Sequence, residues 1–463
     1  MTLIHADQAL LSDGWANDVI VGIASDGRIE YVERAAGSDT NGRTDQVPNH
    51  KVATLLPAPA NAHSHTFQRA MAGLTERRGP DPRDSFWTWR RLMYRFLDRL
   101  SPDDIEAIAA YVQMEMLESG YATNVEFHYL HHQPGGAHYD SIAELSERIA
   151  AATAITGIGL TLLPVHYQYG GCDKRDLTEG QCRFGTDLDN YHKLWSGAEQ
   201  ALHNLPDDVQ SGVAPHSLRA VAADSLPALL SIAPQAPFHM HIAEQIAEVE
   251  EVQRSWGARP VEWLLGNAQV DERWCLIHCT QMQSHETQAL AKTGAVAGLC
   301  PITESSLGDG IFDGVAFLDA DGRIAIGSDS NIRISLSEEL RTLDYSQRLR
   351  DHSRAALATA EQSTGRRLYE CTVAGGAQAA GRQCGKIAAG QWADLLALDG
   401  DHPDLQGHSG DTVLDTFIFA GDDRMVCEVW SAGRHQVTAG EHIHRQSIVE
   451  RYRAVMKNLR ELL

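Results

Sequence analysis

Between residues 53 and 329 the chain repeats one arrangement: a short apolar run, in most cases followed by a helical stretch rich in Ala, Leu and Glu. Eight runs read as strands, at 53–63, 122–129, 157–166, 211–217, 236–244, 274–279, 295–301 and 323–329. The segment SPDDIEAIAAYVQMEMLESG (101–120) shows the helical partner, with Ser101 as its cap, Pro102 in its first turn and Gly120 closing it. Eight β–α units in about 300 residues fit a (β/α)8 barrel better than an open doubly wound sheet. No GxGxxG or P-loop follows any of the runs, so nothing favours a nucleotide-binding fold.

The two ends have a different texture. DVIVGIASDGRIEYVE alternates around an Asp26-Gly27 turn, a hairpin signal. Near the other end, GKIAAGQWADLLALDGD and DTFIFAGDDRMVCEVWSAGRHQV are again strand-like, with Gly and Asp at the turns. The expected organisation is a small β-sandwich built from both termini (1–54 and 379–463, the latter with a terminal helix) around a hydrolase barrel at 55–378. That last helix, RQSIVERYRAVMKNLRELL, is amphipathic and suits packing on its own barrel or a dimer contact.

Charge narrows the partners. The formal net charge of −23 argues against sequence-independent nucleic-acid binding and against an anionic membrane surface. It leaves room for an anionic small substrate, because a few arginines can reverse the field inside one pocket. No apolar run reaches the roughly 18–20 residues of a membrane span. The N-terminus has neither a basic start nor an apolar core, and the eight cysteines form no CxxC pair, so they read as reduced thiols of a cytoplasmic protein.

Metal-competent residues sit at the ends of the apolar runs, the face on which barrel enzymes build their sites. His63 and His65 end the first run, His216 the fourth, His239 and His241 the fifth, His278 the sixth and Asp329 the eighth. One histidine on an apolar strand is ordinarily a core residue; histidine or aspartate at five strand ends is a different matter. Residues i and i+2 of a strand face the same side about 6.6 Å apart, so a His-x-His pair can chelate one ion. Three imidazoles and a carboxylate suit Zn²⁺, or Fe²⁺, with a position left for water. His239 and His241 both face the right side, with His241 nearer the mouth. Glu244 and Asp329 are placed to take a proton from water and pass it to a leaving nitrogen, and His278 to assist. Neither Lys174 nor Lys193 stands at a strand end to bridge two ions, so one ion is expected. His131, His132, His138, His442 and His444 lie in polar segments and read as solvated surface.

PANAHSH, HMHIAEQ, LIHCT and GSDS, in that order, resemble the amidohydrolase superfamily. HSHTFQRAMAGLTE, SFWTWRRLMYR, VEFHYLHH, APHSLRA and TESSLGDGIF are most similar to its formimidoylglutamate deiminases. The resemblance implies hydrolysis of N-formimino-L-glutamate to N-formyl-L-glutamate and ammonia, a step of histidine degradation. It implies one Zn²⁺ on His63, His65, His241 and Asp329, Gln68 beside the formimino group, and Glu244 and His278 in catalysis. It also implies a pocket for the substrate's carboxylates from Arg90, Tyr129, His216 and Arg219, with Arg91 an alternative to Arg90, and a homodimer. The segment ITESSLGDG departs from the expected TTEANLGDG at Ser305 and Ser306, a change that could tune the pocket. HYQYGGCDKRD (166–176) is expected as a flexible loop over the mouth. Two other readings compete: an aminohydrolase of guanine or another amino-heterocycle, which has little use for two arginines, and a metal-free scaffold.

Overall fold

The computed structural model describes residues 1–34, 47–76 and 86–462, without the side chains of 86–91 and 462. Seventeen strands are described: β1 (Thr2–Leu11), β2 (Gly14–Ile23), β3 (Ile29–Arg34), β4 (His50–Pro57), β5 (Ala60–Ser64), β6 (Thr123–His128), β7 (Gly159–His166), β8 (Gln210–Ser211), β9 (Ala214–Pro215), β10 (Phe238–Ile242), β11 (Trp274–His278), β12 (Val296–Leu299), β13 (Arg323–Ile326), β14 (Leu395–Leu398), β15 (Val426–Ser431), β16 (Arg434–Thr438) and β17 (Glu441–His442).

The expected barrel strands are β5 to β13, with the fourth split into β8 and β9. Ladders run β5-β6-β7-β8 and β10-β11-β12-β13, with β9 on β7, all parallel. Single parallel bridges join the two halves: Val213 with Phe238 and Ser217 with His241 at one seam, Ser64 with Asp329 at the other. The backbone bonds at the second seam are Asp329 N to His63 O and His65 N to Asp329 O, each 2.9 Å. The ring is therefore closed, and closure brings the first and eighth strand ends together. Strands β5, β6, β7, β10, β11 and β12 are buried along their whole length, which is why they read as unbroken apolar runs.

The helix Pro102–Glu118 is capped as expected. Ser101 and Asp104 form a capping box, and Gly120, at φ 99°, leads the chain out past the cap residue Ser119.

Strands from the two ends share one eight-stranded sheet, in the order β17-β16-β15-β14-β4-β1-β2-β3. The Asp26-Gly27 turn joins β2 to β3. Strand β4 pairs parallel to β1 and antiparallel to β14, so N- and C-terminal strands meet at the middle of the sheet. Ile4, Val19, Val21, Leu55, Leu395 and Trp430 fill its core. A buried ionic joint holds this sheet to the barrel. Arg382 pairs with Asp208 and Asp394, Arg434 reaches Asp208 at 2.7 Å, and Asp394 accepts from Ala432 N at 2.7 Å. The last helix, Arg445–Leu462, lies on the helix Pro102–Glu118, with Tyr452 and Tyr111 stacked at 3.9 Å.

Two expectations are corrected. His131, His132 and His442 are buried, because their ring nitrogens donate to Val165 O, Gly185 O and Thr156 O. The 166–176 loop is tied down rather than free: Gln168 N and Tyr169 N donate to Ala220 O, and Cys172 N to Glu251. The eight cysteines are unpaired and none is exposed.

Candidate metal centre and active site

Strands β10, β11 and β13 leave the barrel through left-handed residues. Ala243 (φ 50°), His278 (φ 75°), Cys279 (φ 55°) and Asp329 (φ 46°) are not glycine, so each strand end turns into the site at some cost in backbone strain. Asp329 is held at the seam by a network in which Asn61 and Ser328 bond reciprocally. Ser328 Oγ then donates to Asn331, and Asn331 Nδ2 to Ser64 Oγ.

His63, His65 and His241 converge above this seam. His65 Nδ1 donates to Phe127 O at 2.9 Å and His241 Nδ1 to His216 O at 3.0 Å. Each therefore carries its proton on Nδ1 and turns an Nε2 lone pair inward. His63 Nε2 lies 3.1 Å from His65 Nε2 and 3.0 Å from His241 Nε2. Asp329 Oδ1 completes the cluster, 3.3 Å from His65 Nε2 and 3.6 Å from His63 Nε2. A tetrahedral ion with bonds of 2.0–2.2 Å would set its ligands about 3.3–3.6 Å apart. Acceptors crowded without enough protons to share are the signature of a cation site, and the residues fit a divalent ion. Burial, aided by the neighbouring imidazoles, holds His63 and His241 well below the usual range; burial takes His65 down to about 3. Neutral imidazoles of this kind have lone pairs free for a cation. His239 is not in the cluster: its Nε2 donates to Ala379 O at 2.7 Å.

Beside the histidines is a buried group of carboxylates around one imidazole. His278 Nδ1 meets Glu304 Oε1 at 3.2 Å, and its Nε2 faces Glu244 at 4.0 Å and Asp329 Oδ2 at 3.8 Å. Burial alone would lower His278, but Glu244, Glu304 and Asp329 raise it to about 10. Burial and the like charges of Glu244 and Glu304 push Asp329 up to about 7 against the pull of His278. Asp309, bonded by Gln245, is pushed up to about 9 by burial and then by Glu244.

These groups open into one pocket. Gln68, Tyr129, His216, Arg219, Glu244, His278 and Asp329 line it, with His65 and His241 at its base. Gln68 Nε2 donates to the Tyr129 hydroxyl at 2.7 Å. Arg219, its side chain 12% exposed, stands 3.8 Å from Glu244, and its Nε has no hydrogen-bond partner among the described residues. Arg90 lies on the helix Phe86–Leu97, but its side chain, with that of Arg91, falls outside the described residues. Met93, Tyr167, Phe184 and Leu307 supply an apolar wall that sequence reasoning missed. Tyr167 follows β7 directly, a signal that could have found it; Phe184 comes from a loop turn with no strand pattern. Glu304, visible only as part of a motif, proves to be the partner of His278. Ser305 and Ser306 are exposed and do not line the pocket.

A parallel barrel with three imidazoles and a carboxylate clustered at its strand ends, and a carboxylate-flanked imidazole beside them, is the arrangement of a metal-dependent hydrolase. The amidohydrolase family profile matches residues 54–435, and the chain belongs to that family. Residues 1–45 match the N-terminal domain of the formimidoylglutamate deiminase HutF. The whole chain is 45% identical to the formimidoylglutamate deiminase of Pseudomonas aeruginosa, covering 100% of both. An amidohydrolase from Brucella melitensis superposes with a TM-score of 0.92 at 43% identity, over 99% of this chain and 100% of that one. An adenosine deaminase from Xanthomonas campestris with bound zinc shares the fold, at TM-score 0.81 and 21% identity, over 99% of this chain and 98% of that one.

Proposed function

We propose that the chain is a formimidoylglutamate deiminase, hydrolysing N-formimino-L-glutamate to N-formyl-L-glutamate and ammonia in histidine degradation. The observation that carries this reading is the charge layout of one pocket. Buried carboxylates gather around His278, suited to a formamidinium cation, while the Arg219 guanidinium, 3.8 Å from Glu244 at the edge of that group, lines the same pocket with an unpartnered Nε among the described residues, in a chain of net charge −23. A planar guanidinium suits a carboxylate bidentately. Full-length identity with the Pseudomonas enzyme supports the same substrate.

His63, His65, His241 and Asp329 would hold one divalent ion, with zinc the best match to imidazole and carboxylate donors and Fe²⁺ an alternative. When bound, it supplies Lewis acidity that makes water a nucleophile near neutral pH. The remaining work belongs to side chains. Gln68 and Tyr129 orient the formimino end, while Arg219, His216 and Arg90 hold the carboxylates. Glu244 takes a proton as water oxygen bonds to the formimino carbon. With His278 and Asp329 it returns protons to the terminal nitrogen, the carbon–nitrogen bond breaks, and ammonia leaves. Glu304 positions His278 through Nδ1. We also propose a domain division at 1–54, 55–378 and 379–463, a homodimer, and a cytoplasmic place of action, the last supported by eight unpaired cysteines.

The test is ammonia release by purified, zinc-supplemented protein offered N-formimino-L-glutamate and, separately, guanine and other amino-heterocycles. Release from the formimino acid alone is expected. Release only from a ring would overturn the substrate and the arginine roles together.

A further inference from the structure

One buried group next to the pocket is left unused by this chemistry. Cys300 directly follows strand β12, at the start of the helix Pro301–Leu307, and has no exposed surface. Among the described residues its Sγ has no hydrogen-bond partner, whereas the neighbouring Cys279 Sγ donates to Leu276 O. Ligand atoms of Cys300, His278 and Asp329 lie within 4.8 Å of one another. Asp329 serves both groups with different oxygens: Oδ1 faces the three histidines, and Oδ2 faces His278 at 3.8 Å. Around them the buried Glu244 and Glu304 add negative charge. Buried like charges destabilise one another, and a divalent cation relieves them.

We propose that Cys300, His278 and Asp329 form a second, inhibitory position for a thiophilic divalent ion such as Zn²⁺ or Cd²⁺, beside the histidine site. Sulfur, imidazole and carboxylate donors select these ions over Mg²⁺ or Ca²⁺. A point shared by three atoms at most 4.8 Å apart lies within about 2.8 Å of each, a few tenths of an ångström beyond the ~2.3 Å zinc–thiolate bond, so small side-chain shifts close the site. Binding replaces the thiol proton of Cys300, since the thiolate is the metal ligand. It also ties up His278 and Asp329. The inhibition rests on the proton-handling roles proposed above, but the binding does not.

Metal-free protein is titrated with Cd²⁺ while bound metal, near-ultraviolet absorption and hydrolysis of N-formimino-L-glutamate are followed. Wild type should take up two equivalents. The second should bring a thiolate-to-cadmium charge-transfer band and at least a tenfold loss of turnover, reversed when chelator removes it. Cys300→Ser should take up one equivalent, show no such band and resist excess metal; Cys300→Ala serves if the serine variant does not fold. A wild type that stops at one equivalent, or a Cys300 variant that keeps the second equivalent and its band, overturns the site. A second ion that binds without loss of turnover overturns the inhibitory assignment. If no formimino acid is hydrolysed at one equivalent, the substrate reading fails, while stoichiometry and the band still decide the site.

Discussion

At the scale of single residues, the pocket separates groups that bind from groups that react. Arg219 lies on the binding side: it holds charge beside Glu244 and moves no proton. Arg219→Met should therefore raise KM for N-formimino-L-glutamate far more than it lowers kcat, since it removes binding shared by ground and transition states. Steady-state kinetics check this, and an unchanged KM would remove Arg219 from the pocket. Most of these residues were legible because they stand at strand ends in motifs such as HSH and HMHIAEQ, where position alone implies direction. The choice between His239 and His241 was not legible from period-two spacing. The structure separates them through the Ala379 carbonyl, which takes the His239 ring nitrogen. Glu304 was legible only as part of a pattern, because its bond to His278 spans 26 residues and a helix turn.

At the scale of elements, strand packing sets how closely the ligands can approach. A Cβ on Gly327 would stand 2.7 Å from His63 Cβ and backbone N and 2.8 Å from its O. Gly327→Ala must therefore push β13 from β5 and carry Asp329 away from the histidines. The expected result is weakened metal retention on dialysis and a lowered melting temperature, and full retention would show that the seam gives freely. The eight strands were readable because most are buried along their length; the histidines behind β6 and β7 were not. His131 and His132 sit in a polar segment, yet Arg183 folds over them, donating to His132 O and to Leu97 O. Burial takes His128 down to about 3 and His166 to about 4, and holds His131 well below the usual range, with nearby imidazoles adding to it. The unfolded chain binds these protons near pH 6.5 while the folded chain refuses them until its lower values. Stability from this cluster is thus complete above about pH 6.5 and falls with acid toward about pH 3–4, each histidine contributing at most ~1.4 kcal/mol per pH unit. Urea midpoints from pH 7.5 to 5 should show it, with a shallower slope in His131→Gln; equal slopes would place the acid lability elsewhere.

At the scale of the whole molecule, the two ends of the chain meet in one sheet, and that sheet must be fixed to the barrel for the strand ends to keep their register. The β-rich texture of both termini was legible, but the insertion of β14 beside β4 was not, because pairing partners more than 300 residues apart leave no local pattern. The joint that makes the arrangement rigid is equally non-local. Arg382 follows the last barrel helix, Asp208 precedes β8, and Asp394 precedes β14, so one guanidinium collects carboxylates from both units. Its side chain is 2% exposed and those of its partners are 1% exposed. Removing one member leaves charge buried without its partner, which typically costs about 3–5 kcal/mol even where the intact pair adds little. Arg434 still reaches Asp208, but at Asp394 only neutral donors, Ala432 N and Thr123 Oγ1, remain. Arg382→Met should therefore destabilise the protein by that amount in urea unfolding, and Asp394→Asn in the Arg382→Met background should recover part of the loss by neutralising the stranded charge. Equal stability of wild type and Arg382→Met would mean that apolar packing alone holds the sheet to the barrel.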